Sequence, residues 1–115
     1  MSGFEKLFVY GTLRDGEIQK NVFGRVTDIL GEKISGWKKS EITIQGENYL
    51  ALVPEGNSII EGAVIEVTPE ELKKIDKYET SAYQRIKVSL SSGESAWVYI
   101  KGTNEKNSNT LLSKE

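Results

Sequence analysis

Thr68-Pro69-Glu70-Glu71 is the strongest helix start in the chain, and it stands nearly alone among segments that read as strand. Thr68 supplies an N-cap hydroxyl, and Pro69 takes the first helical position, where a missing N–H costs nothing. Glu71 completes a capping box. Around this helix lie short runs of apolar, β-branched and aromatic residues at 6–10, 24–37, 42–44, 50–53, 59–67, 85–90 and 96–100. One well-capped helix among so many strands predicts an α+β domain, its sheet a small mixed β-barrel or strongly curved. Eleven glycines favour the bends and bulges that curvature requires. A flat, doubly wound sheet would need more helices than the chain supplies.

The expected breaks follow from turn chemistry. Gly31 marks a bend, residues 46–48 and Pro54-Glu55-Gly56-Asn57 mark turns, and Ser91-Ser92-Gly93-Glu94 marks a hairpin. Asp15-Gly16-Glu17 reads as a loop, followed by a helical turn over 18–22. In the strand over 59–67, alternation places Ile59, Ala63, Ile65 and Val67 on one face. Residues 1–101 are expected to form one domain. Residues 102–115 form a polar tail with an isolated Leu111-Leu112, either loose or docked on a neighbour.

Composition restricts mechanism by what it lacks. The 115 residues include neither Cys nor His, which removes thiolate nucleophiles, Ser-His triads, imidazole bases and the usual structural zinc sites. A net charge of −2 gives no bulk attraction to nucleic acid or an anionic membrane. No apolar run approaches a membrane span and the first residues do not read as a signal peptide, so a cytoplasmic location is expected. Any general base must then be a carboxylate, a perturbed Lys or Tyr, or the substrate itself.

On the helix following Thr68, Leu72, Ile75, Asp76 and Glu79 fall on one side, while Lys73, Lys74 and Lys77 fall on the other. Glu79 thus lies within the apolar stripe, at a C-terminus where the helix dipole opposes negative charge. Burial and dipole both raise a carboxylate pKa toward the range of a general base. The plainer reading puts Glu79 beyond the last turn, exposed to water. Asp76 shares its face, either as a catalytic partner or, more in keeping with its type, in a structural role, bonding backbone groups or pairing with a cation such as Arg85. A second feature, Tyr10-Gly11-Thr12-Leu13, ends the first strand in a turn whose N–H groups suit a carboxylate or an oxyanion, although such turns are often only turns. Tyr78, Tyr83, Trp97 and Tyr99 either line a pocket or pack as core staves.

These pieces also occur in a particular order. Residues 8–14 end in Tyr-Gly-Thr-Leu-Arg, Asp76-Lys77-Tyr78-Glu79 closes the late helix, Tyr83-Gln84-Arg85 follows, and Ala96-Trp97-Val98-Tyr99-Ile100 comes last. In order and spacing the chain resembles the gamma-glutamylcyclotransferase-like family, with its small avirulence-induced-gene-like and butirosin-cyclotransferase-like members. The resemblance runs from about residue 6 to residue 101 and takes in residues 62–67 before the helix. It implies a small mixed barrel, a gamma-glutamyl substrate and an intramolecular aminolysis that closes 5-oxoproline, expels an amine and needs no metal or organic cofactor. It also implies Glu79 as catalytic base and acid, residues 10–13 (Tyr10, Gly11, Thr12, Leu13) as the substrate cradle, and Arg14, Tyr83 and Tyr99 as pocket residues. One departure is Thr80, which stands where the family often has glycine. Two other readings compete: a non-catalytic module binding a small metabolite in the same cavity, and an interaction protein that docks through its tail.

Overall fold

Leu7, Phe8 and Val9 are all buried, so the first strand has core on both of its faces. In the computed structural model, which describes residues 3–44, 46–79 and 83–102, this strand β1 (Glu5–Val9) lies at the centre of the sheet. The others are β2 (Leu30–Ile44), β3 (Glu47–Val67), β4 (Tyr83–Ser89) and β5 (Ser95–Lys101), in spatial order β2-β3-β1-β5-β4. β1 pairs antiparallel with β3 and parallel with β5, where Leu7 faces Trp97. The sheet curls into a half-barrel. Phe8, Ile34, Leu52, Ile60, Val64 and Val98 fill one core cluster, while Leu7, Val9, Ile65 and Val67 join a second with residues from two helices.

Those helices are α1 (Gly16–Phe23) and α2 (Pro69–Glu79). The capping box at α2 forms as the sequence predicts. The Glu71 N–H donates to Thr68 Oγ1 at 3.1 Å, and the Thr68 N–H donates to Glu71 Oε1 at 2.9 Å. Arg25 then clamps Glu71 through Nε at 2.7 Å, tying the segment after α1 to the start of α2. Thr68→Ala should therefore lower unfolding free energy by about 1 kcal/mol, measurable by urea denaturation.

The expected loop at Asp15-Gly16-Glu17 is instead a helix start. Asp15 accepts hydrogen bonds from the N–H groups of Glu17 (2.8 Å) and Ile18 (3.4 Å), and Gly24 ends the helix at φ 94°. Pro54-Glu55-Gly56-Asn57 is likewise not a turn between strands but part of β3. Ser35 pairs with Ile59 and Trp37 with Pro54, so Gly36, at φ 90°, faces the whole of residues 55–58. The resulting bulge bends the long β2–β3 hairpin, whereas the bend expected at Gly31 is absent because Gly31 pairs regularly with Ala63. Ile59 departs from the expected face pattern. It is 66% exposed, because the helical layer covers only the 63–67 end of that face.

Thr80 and residues 103–115, including Leu111-Leu112, lie outside the described residues. No helix among the described residues is long and apolar enough to cross a membrane.

Candidate active site

β1 delivers Tyr10 and Gly11 to the end of the sheet, where Thr12–Arg14 makes one 3-10 turn. The turn's own hydrogen bonds use the N–H groups of Arg14 (to Gly11 O, 3.2 Å) and Asp15 (to Thr12 O, 2.9 Å). The N–H groups of Thr12 and Leu13 stand at its open end. Gly11 has φ −135°, outside the left-handed region, so the turn does not depend on glycine for that reason. Three ties fix the turn. Tyr10 Oη donates to the Tyr99 carbonyl at 2.6 Å, Thr12 Oγ1 and Tyr78 Oη are 3.0 Å apart, and the buried Gln19 donates through Nε2 to the Leu13 carbonyl at 2.8 Å. Gln19 Oε1 also accepts from the Thr27 N–H at 2.9 Å, so both ends of its amide are occupied.

On α2, Leu72 and Ile75 are buried against the sheet while Lys73, Lys74 and Lys77 are exposed, as the wheel predicts. Asp76 and Glu79 occupy the boundary between these faces but have opposite environments. Burial works against ionisation of Asp76, yet Arg85 grips it at 2.9 and 2.8 Å and Tyr99 Oη donates to it at 2.5 Å. These bonds hold its carboxyl below the ordinary value. Glu79 has no such cation among the described residues. Burial, and then the Asp76 charge, push its carboxyl up to about 7. Asp76 is thus the ion-pair partner of Arg85 and also the fixed negative charge that opposes ionisation of Glu79.

Tyr10, Gly11, Thr12, Leu13, Glu79, Tyr83 and Tyr99 all line one cavity of about 440 Å³. Two elements distant in sequence, the Tyr-Gly-Thr-Leu turn and the end of α2, therefore meet there. Burial and then the Glu79 charge push the Tyr83 phenol to about 12. Burial foremost also raises Tyr10 and Tyr99, so all three present neutral hydroxyls near neutral pH. Arg14 is not part of the lining, and its Nε turns back to the Gly11 carbonyl at 3.3 Å. Trp97 is also outside it, beneath the Arg85 guanidinium at 4.3 Å from the ring centre. Among the described residues, no group of three Asp, Glu, His or Cys could hold a metal ion.

The chain matches the family described as gamma-glutamyl cyclotransferase, AIG2-like, across residues 7–115. It belongs to that family. AIG2-like protein C of Arabidopsis thaliana is 32% identical over 85 residues, which are 73% of this chain and 48% of that protein. The chain thus spans about half the length of the curated relatives it matches. A solution structure of an Arabidopsis thaliana protein aligns with TM-score 0.76 at 20% identity, covering 100% of this chain and 71% of the other. A structure described as a gamma-glutamyl cyclotransferase aligns with TM-score 0.69 at 14% identity, covering 87% of this chain and 68% of the other. These two likenesses are of fold.

In this AIG2-like domain the cavity has a further wall that sequence reasoning missed. Asn48, Tyr49 and Leu50, next to the β2–β3 turn, line it, and Tyr83 Oη donates to the Leu50 carbonyl at 2.5 Å. The available signal was Tyr49-Leu50 beside a polar turn, two large apolar residues that remain 39% and 41% exposed. Only the register of the hairpin brings them to the cavity.

Proposed function

We propose that this AIG2-like chain is a gamma-glutamyl cyclotransferase, cutting a gamma-glutamyl amide into 5-oxoproline and a free amine. The observation that carries the reading is one carboxyl, Glu79, raised to about 7 and lining the same cavity as the 10–13 turn. In this reaction the substrate's alpha-nitrogen attacks its own gamma-carbonyl. A new C–N bond closes the five-membered ring, and the original amide C–N bond then breaks. The alpha-nitrogen enters as an ammonium with three protons and ends in the ring with one. Glu79 takes the two it sheds, one before attack and one as the ring closes, and passes them to the departing nitrogen, which leaves as an ammonium, so no proton is gained or lost overall. Backbone N–H groups at the open end of the turn would hold the glutamyl carboxylate or the oxyanion of the tetrahedral intermediate. Tyr10, Tyr83 and Tyr99 shape the cavity around a folded substrate chain, which favours ring closure by proximity. The nucleophile belongs to the substrate, so the lack of Cys and His is no obstacle.

The test is to incubate the protein with gamma-glutamyl amides and measure 5-oxoproline. Release dependent on Glu79 supports the reading, and full activity in Glu79→Gln sinks the mechanism. Base catalysis by Glu79 also predicts a kcat/KM that rises with pH through about 7. Asp76→Asn removes a negative charge that raises the Glu79 pKa and leaves Arg85 positive nearby, so this limb should move to lower pH. A limb that stayed in place would show that Asp76 does not set the pKa of the base.

A further inference from the structure

Resting on that reaction, we infer that Gln19 is a positioning residue for it, the buried head of a line of amides that aims and polarises the Thr12 N–H. Apart from tyrosines, Gln19 is the one buried polar side chain among the described residues, 1% exposed. A diverted bond explains its place. In a continuous helix the Glu17 N–H would return to the Leu13 carbonyl, four residues back. Asp15 takes that N–H with its own carboxylate at 2.8 Å, and Gln19 Nε2 serves the Leu13 carbonyl instead, also at 2.8 Å.

From Gln19 the bonds run on through two peptide groups. The Thr27 N–H donates to Gln19 Oε1 at 2.9 Å, and Gln19 Nε2 donates to the Leu13 carbonyl. A backbone donor on one side and a carbonyl on the other leave the Gln19 amide a single orientation that satisfies both. The peptide that holds the Leu13 carbonyl also holds the Arg14 N–H, which donates to the Gly11 carbonyl at 3.2 Å. The Gly11 peptide in turn holds the Thr12 N–H, on the turn that lines the cavity. Every group in the line accepts at oxygen and donates at nitrogen, so each bond strengthens the next. The Leu13 N–H stands outside this line, because its peptide carbonyl, that of Thr12, is served by the Asp15 N–H. An N–H polarised in advance favours the oxyanion formed on the gamma-carbonyl over the neutral carbonyl that precedes it, so its effect falls on kcat.

The experiment compares the unaltered chain with Gln19→Met, which keeps the volume of the side chain and removes both of its bonds. In nitrogen-15 NMR spectra the Arg14 and Thr12 amide protons should move upfield, while those of Leu13 and Asp15 stay in place. Release of 5-oxoproline from gamma-glutamyl-anilide is followed at a temperature where circular dichroism shows both proteins folded. There kcat should fall about tenfold, with KM within about twofold. Should the Met variant not fold, Gln19→Glu should give the same readings once ionised, since it keeps the acceptor for Thr27 and offers Leu13 no donor. An unmoved Thr12 proton, equal movement at Leu13 and Asp15, an unchanged kcat or a loss confined to KM would each overturn the inference. Selective movement at Arg14 and Thr12 without 5-oxoproline from the unaltered chain would count against the cyclotransferase reading alone. Release of 5-oxoproline with Thr12 unmoved would do the reverse.

Discussion

Glu79→Gln should cut 5-oxoproline release by about 10²–10⁴-fold and at the same time make the protein more stable above neutral pH. On the proposed reaction, the first effect follows from losing the group that moves the protons, since Gln has the same shape and cannot accept one. The second follows from linkage. The ordinary carboxyl value is 4.5, and in the folded chain Glu79 is raised to about 7. The unfolded chain therefore releases this proton more readily, and folding loses stability as pH rises from about 4.5 through about 7. Above that range the penalty is fully present, and below 4.5 it is absent. With an allowance for partial exposure, Gln should relieve about 2 kcal/mol at pH 8 and nothing at pH 4. Thermal unfolding of both proteins at the two pH values checks this. A Tm difference of equal size at both would show that ionisation is not its origin.

Gly62→Ala should have the largest effect on stability. A Cβ there would stand 2.5 Å from the Val9 carbonyl oxygen and 2.7 Å from Phe8 Cζ. Neither neighbour can yield easily. Val9 belongs to the central strand, and Phe8 is 1% exposed in the core inside the curl. β1 and β3 would have to separate or the Phe8 ring leave its place, a cost of about 3 kcal/mol. Gly31→Ala is the matched control, since a Cβ at Gly31 meets nothing within 4 Å and its φ is not in the left-handed region. Urea denaturation of both variants decides the point, and a loss below about 1 kcal/mol for Gly62→Ala would mean that these strands have slack. Because Val9 leads directly into the Tyr-Gly-Thr-Leu turn, the same variant should lose catalytic efficiency.

Much of the fold was legible wherever a feature depends on residues close in sequence. The capping box at Thr68, the apolar stripe of α2 and the Ser91–Glu94 hairpin signal need only local chemistry. Asp76 and Arg85 were within reach because a helix end followed at once by a strand keeps opposite charges near each other. What could not be read was partnership between distant segments. Pro54 and Gly56 have the composition of a turn, but β2 continues opposite them and converts the turn into a bulge. Asp15 reads as part of a loop because the helix it caps is only one of several readings of Gly16-Glu17-Ile18. At the site, Glu79 could be singled out by its wheel position, and Tyr10 to Leu13 by the glycine turn that ends the first strand. The hairpin wall of Asn48, Tyr49 and Leu50 depends on a register that no local pattern specifies.

The parallel pairing of β1 with β5 has a consequence for how the molecule comes into being. β1 pairs through Leu7 with Trp97 of β5, the last strand among the described residues, so about ninety residues must be bridged before the central strand is enclosed. Until then β1 has an open edge, and Tyr10 lacks the Tyr99 carbonyl that anchors it. During synthesis the helices and the long hairpin can form while the cavity still lacks a wall. The lining that the 10–13 turn and Glu79 share with Tyr99 is complete only when β5 has paired. The cavity is therefore a late product of folding.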